Sequence, residues 1–138
     1  MILATILRTA LGLSRAPDQA AVDAIERAAL AAHVPPSLAL AVCTVESGLG
    51  TRGAILCGCY VRRNGVLDTS VEAQARCVAG TLAHGRRACG SWAASLRRYR
   101  YGLRDHGCPL ADPRDYVGRV SVHQGAVARV TRAQALAM

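Results

Sequence analysis

The residue in this chain best placed for acid–base chemistry is Glu46. It closes the stretch Val34-Pro35-Pro36-Ser37-Leu38-Ala39-Leu40-Ala41-Val42-Cys43-Thr44-Val45-Glu46-Ser47-Gly48. Proline fits the first turn of a helix but not its interior, so Pro35-Pro36 marks a start. Gly48 marks the stop, because glycine takes the left-handed conformation cheaply. Leu38 to Val45 is nearly all apolar, which predicts a helix over 34–47 buried on most of its sides. Val42, Cys43, Ala39 and Leu38 lie one and two turns back on the face of Glu46. A helix C-terminus carries partial negative charge, and apolar neighbours disfavour an ion. Both surroundings therefore favour the neutral acid. A carboxylic acid kept protonated near neutral pH is what a general acid requires.

The pattern Pro-Pro-x-Leu-x-x-Ala-x-x-x-x-Glu-Ser-Gly resembles the helix that carries the catalytic glutamate in lytic transglycosylases of the soluble, lysozyme-like type. A second landmark, Ser91 to Gly102, resembles the family's Trp-x-x-Ala-Leu-x-x-Tyr-Asn-x-Gly segment. Trp92, Leu96, Tyr99 and Gly102 fall in register there, while Arg100 replaces the asparagine. Tyr116-Val117-x-x-Val120 resembles the helix that follows. The resemblance spans roughly residues 34–122.

The resemblance implies a mostly α, lysozyme-like single domain around a central buried helix. It also implies cleavage of the N-acetylmuramic acid–β-1,4–N-acetylglucosamine bond of peptidoglycan without a cofactor or metal. Glu46 would protonate the leaving oxygen and then act as base on the muramic 6-hydroxyl, leaving a 1,6-anhydro end. This is a single-carboxylate variant of the usual two-carboxylate scheme. Tyr99 takes the place of the family's tyrosine beside the glutamate. Ser47, Gly58, Tyr60, Tyr99 and Tyr101 are the expected substrate contacts. The family's Gly-Leu-Met-Gln motif is only partly matched: Gly58 supplies its glycine, but Cys59, Tyr60 and Val61 follow where the glutamine is due.

Other readings compete. Asp68 and Asp105 are the candidates for a second, hydrolytic carboxylate, which would make the protein a lysozyme-like muramidase. A non-catalytic glycan-binding or virion structural module is a further alternative. Arg97, Arg98, Arg100 and Arg104 surround Tyr99 and Tyr101, and basic patches with aromatics can bind single-stranded nucleic acid. A solvated helix face accounts for them more simply. Nucleic acid is not the expected partner, and a monomer acting on glycan strands is.

The rest of the chain must position Glu46. Its 138 residues fit one compact domain, read as an N-terminal helical segment over 1–33 and the transglycosylase-like domain over 34–138. The formal net charge of +8 comes entirely from arginine as the basic residue, a bias typical of a GC-rich genome. Such a surface attracts polyanions without choosing among them.

Six cysteines suggest disulfides and an extracytoplasmic or virion location, with the pairing left open. At least one bridge is expected among Cys57, Cys59, Cys89 and Cys108, which lie in or near loops. Cys43 and Cys77, inside apolar helices, read as small buried hydrophobes. The spacing Cys57-x-Cys59 argues against a zinc knuckle.

Residues 1–16 form a poor secretion signal and are too short to span a membrane, so an amphipathic first helix is expected. A second helix should run from Pro17-Asp18 to Ala32. Glycines at 48, 50, 53, 58 and 65 rule out a long helix after Glu46, and Asn64-Gly65 signals a turn. Thr69 and Glu72 have capping-box spacing for a helix ending near His84, at Gly85. Asp112-Pro113 should open a helix over 113–123.

Overall fold

The computed structural model describes residues 3–53, 55–102 and 107–137. It is mostly helical, with α1 (Leu3–Ala10), α2 (Gln19–Ala31), α3 (Pro36–Ser47), α4 (Val71–Cys89), α5 (Trp92–Arg97) and α6 (Tyr116–Ala137). A small antiparallel hairpin, β1 (Val61–Arg63) and β2 (Val66–Asp68), projects between α3 and α4. Its two-residue turn is Asn64-Gly65, both at positive φ, as a hairpin turn with right-handed strand twist requires.

α3 is the helix that the others enclose. Leu38 through Thr44 are buried without interruption. α2, α4 and α6 pack against it, whereas α5 packs against α4 and α6. Ala4, Leu7, Val22 and Ile25 join the same apolar cluster as Leu40, Val78, Leu96 and Val120, so α1 and α2 share the core of the later helices. Gly48 ends α3 in the left-handed conformation, with its N–H bonded to Thr44 O at 2.7 Å.

Four element boundaries differ from the sequence expectation. α4 is capped by Ser70, not Thr69: the Ser70 hydroxyl accepts from Ala73 N. It also runs through Gly85 to a left-handed Gly90. At Gly85 a Cβ would lie 2.6 Å from Ser95 Oγ, so this glycine lets α5 approach α4 and does not stop the helix. α6 begins at Tyr116, three residues later than the Asp112-Pro113 signal placed it, and runs to Ala137 instead of stopping near residue 123.

All six cysteines are paired, as Cys43–Cys57, Cys59–Cys77 and Cys89–Cys108. Cys43 and Cys77 are therefore not core filler. Each is the helical anchor for a cysteine of the intervening loop. A bridge of this kind stabilises by roughly 2–4 kcal/mol through the unfolded chain it constrains.

Candidate active site

Glu46 sits half-buried in the last turn of α3, and each carboxylate oxygen meets a different neighbour. Oε1 accepts the hydroxyl of Tyr116 at 3.0 Å. Oε2 lies against Gly58, where a Cβ would fall 2.6 Å from it. Gly58 also has φ +72°, so the position excludes side chains twice, by space and by conformation. Among the described residues no guanidinium forms an ion pair with Glu46.

The backbone around Gly58 is fixed from three directions. Cys57 is bonded to Cys43 on α3, one turn before Glu46, and Cys59 is bonded to Cys77 on α4. Gln74, fully buried on α4, accepts from Cys57 N at 3.1 Å and donates to Cys59 O at 2.5 Å. Tyr99 donates to Cys57 O at 2.5 Å, and its oxygen lies 3.1 Å from Cys59 Sγ. A buried amide or phenol without a partner would be costly, so these bonds hold the loop as firmly as the sulfurs do.

Tyr99 thus differs from its expected part. It is 5% exposed, and its hydroxyl is committed to a backbone carbonyl instead of being free for the acid or a sugar. It remains close enough to feel the carboxylate. Burial first, and then the charge of Glu46, push its phenol well above the ordinary range. The same two causes, in the same order, act on Tyr116. Both are neutral donors across the working pH range.

The other expected contacts divide. Gly58 adjoins Glu46. Ser47 is buried, with its hydroxyl donating to Leu56 O at 2.5 Å and accepting from Gly50 N at 2.9 Å, so it ties the loop and has no hydrogen left for a ligand. Tyr60 is 73% exposed at the foot of the hairpin. The Tyr101 hydroxyl donates to Asp112 Oδ1 at 2.8 Å and serves the start of α6. No hydrogen bond among the described residues joins Tyr60 or Tyr101 to Glu46. Asp105 lies outside the described residues. Asp68 is in β2 and paired with Arg63 at 2.9 Å. The N–H and hydroxyl of Ser70 hold its carboxyl below the ordinary range, with Arg63 adding to the effect.

Two residues central to this geometry escape a reading of the sequence for site residues. Tyr116 reaches Glu46 across 70 positions of chain; the Tyr-Val-x-x-Val pattern marks its helix but not its contact with the acid. Gln74 does carry a signal. It is a polar residue on the same helical face as Val71, Ala75 and Val78, where an amide must find partners. Positioning Tyr116 falls to Asp112, whose carboxylate accepts from Tyr116 N at 2.7 Å and Val117 N at 2.8 Å. Tyr99 and Tyr101 lie on a π-helical stretch, Arg98–Gly102, a rare distortion that often accompanies functional sites.

Among the described residues no group of three His, Cys, Asp or Glu side chains is placed to hold a metal, and no helix is long and apolar enough to cross a membrane. No protein-family model, curated protein or solved structure matches the chain.

Proposed function

We propose that the protein is a peptidoglycan lytic transglycosylase with Glu46 as its single general acid and base. The observation that carries this reading is the setting of that carboxyl. It ends a buried helix, one oxygen meets a neutral phenol and the other meets a glycine backbone, and no cation pairs with it. Such a group can give up a proton to a glycosidic oxygen and take one back from the muramic 6-hydroxyl. The Tyr116 hydroxyl orients the carboxyl.

The single-acid scheme is preferred to hydrolysis because Asp68 is occupied by Arg63 and Ser70 and so is poorly suited to activating water. The disulfides fit an oxidising compartment. Action on the wall from the periplasm, after secretion or from a virion follows from this reading.

Digestion of purified peptidoglycan followed by mass spectrometry of the products tests it. Anhydro ends are expected, each lacking the water that a reducing end carries. Glu46→Gln should fold, still bind strands and lose about 10²–10⁴-fold in turnover. Turnover by Glu46→Gln equal to the parent's would refute the assignment.

A further inference from the structure

Where α2 ends beside the last turns of α4, a dimple of about 150 Å³ is lined by Ala32, His33, Ala83, Arg86, Arg87 and Trp92. Its polar side chains are donors. Arginine and the indole ring donate hydrogen bonds and accept none, and only the imidazole can do either. His33, Arg86 and Arg87 are exposed, and Trp92 is half-buried with the Arg86 guanidinium over its ring, 5.0 Å from the centroid. None of the four has a hydrogen-bond acceptor or an ion-pair partner for its side chain among the described residues. Residues 73–102 contain no acid.

Arginines in a last helical turn ordinarily answer the negative end of their own helix. Here the backbone meets that need. α4 ends on left-handed Gly90, whose N–H bonds Arg86 O at 2.8 Å. At the end of α2, His33 N reaches Leu30 O at 3.2 Å and Val34 N reaches Ala29 O at 2.9 Å. His33 closes that turn at φ 58°, a conformation that glycine would adopt more cheaply. Neither guanidinium bonds a helix carbonyl among the described residues, and both remain available to a ligand.

We infer that this dimple is a binding site for the phosphate group of a phosphate ester. The donors select the class of ligand. A sugar or an amide brings hydrogens of its own, and a single imidazole nitrogen is all that the lining side chains offer to receive them. A carboxylate is planar, and one bidentate guanidinium satisfies it. Two guanidiniums, an indole N–H and an imidazole, set on α4, α5 and the end of α2, call for an oxyanion whose oxygens point in more directions than two. A tetrahedral phosphate supplies that. A nucleic acid would want open aromatic faces for its bases, and Trp92 is half-buried beneath Arg86.

The dimple lies at the opposite end of α3 from Glu46. α3 starts at Pro36, just after His33, and Glu46 is in its last turn, about 15 Å further along the axis at about 1.5 Å per residue. A phosphate held in the dimple leaves the carboxyl open, so the inference does not depend on the chemistry assigned to Glu46.

Trp92 is the only tryptophan of the chain, so its indole N–H resonance reports on the dimple alone. Titrated with inorganic phosphate, that resonance should shift and saturate, while acetate at equal ionic strength leaves it in place. Arg87→Gln should weaken the phosphate titration about ten-fold, the scale of one lost charge-assisted bond. Arg86→Gln should do the same, with Arg87→Gln as the control for any disturbance of the ring. Glycerol phosphate and vesicles then identify the source of the ester. Co-sedimentation with phosphatidylglycerol vesicles but not phosphatidylcholine vesicles, competed by glycerol phosphate and weakened in Arg87→Gln, supports the site and assigns it to a lipid head group. Saturation by glycerol phosphate without vesicle capture supports it and assigns it to a soluble ester. A resonance that does not saturate with phosphate, an equal shift with acetate, or an affinity unchanged in both variants would overturn the inference.

Discussion

The loop over Cys57–Cys59 and the start of α6 both reach Glu46, one through backbone and the other through a hydroxyl. The loop is held by two disulfides, a buried glutamine amide and a buried phenol, and it presents no side chain to the carboxyl. The start of α6 carries no disulfide; it is held by hydrogen bonds that centre on Asp112 and by the burial of Tyr116 and Val120 in the core, and it presents Tyr116. A wall that only excludes side chains from a carboxylate works better the less it moves, and covalent bonds suit it. A donor that must follow a carboxyl between its protonated and ionised forms needs only good placement, and a capped helix supplies that.

The sharpest way to break this comparison is Gly58→Ala. On the rigid side a methyl cannot be accommodated by moving the loop, because bonds to α3 and α4 oppose the shift. The added Cβ meets Glu46 Oε2 at 2.6 Å, and φ +72° disfavours alanine in any case. Turnover should fall by about 10²-fold, the scale of a catalytic group displaced by an ångström, and stability by about 1 kcal/mol. If Gly58→Ala retains parental turnover on peptidoglycan, the loop is softer than the disulfides suggest.

The next test sets the two tyrosines against each other. Tyr116→Phe removes the one hydroxyl that bonds Glu46 among the described residues and leaves a buried ring in place. Turnover should drop about ten-fold with little change in melting temperature. Tyr99→Phe should do the reverse. It leaves Cys57 O without the phenol donor, so it should cost about 1–3 kcal/mol in denaturant unfolding while altering turnover less. Equal losses of activity from the two variants would erase the distinction between the walls.

The same contrast separates what the sequence disclosed from what it concealed. α3 was legible because its signals are local: prolines at the start, an apolar run, an acid and a glycine at the end. Gly58 and the loop cysteines were legible as features, since neither belongs in a regular element. Their pairing with Cys43 and Cys77 was not, because it depends on how α3 and α4 come together. The hairpin was visible only as the turn at Asn64-Gly65, since three-residue strands are too short to show an alternation. Tyr99 drew attention through its motif, yet the acid is held by Tyr116. Both rings converge on the same few ångströms from separate elements, and no spacing in one dimension decides which hydroxyl turns towards Glu46.

The smallest expected effect, and the most specific to the hydrogen-bonded side, comes from Asp112. Burial alone would raise its carboxyl, but the N–H bonds from Val117 and Tyr116, the Tyr101 hydroxyl and the charge of Arg97 outweigh it and hold it below the ordinary range. The folded protein therefore binds this proton less tightly than the unfolded chain does. It follows that the stabilisation from Asp112 is fully present above the ordinary carboxylate value of about 4, and is lost as pH falls through the lower folded value. Asp112→Ala should cost about 1 kcal/mol near neutral pH, as loss of a helix cap does. The gap between variant and parent should close as unfolding is measured from about pH 6 down to about pH 2. Turnover should fall only a few-fold, because Tyr116 keeps its buried ring even when its backbone N–H loses a partner. A stability gap that stays constant down to the lowest pH would mean that Asp112 acts by packing and not by charge, and the start of α6 would then owe its placement of Tyr116 to the core instead of the cap.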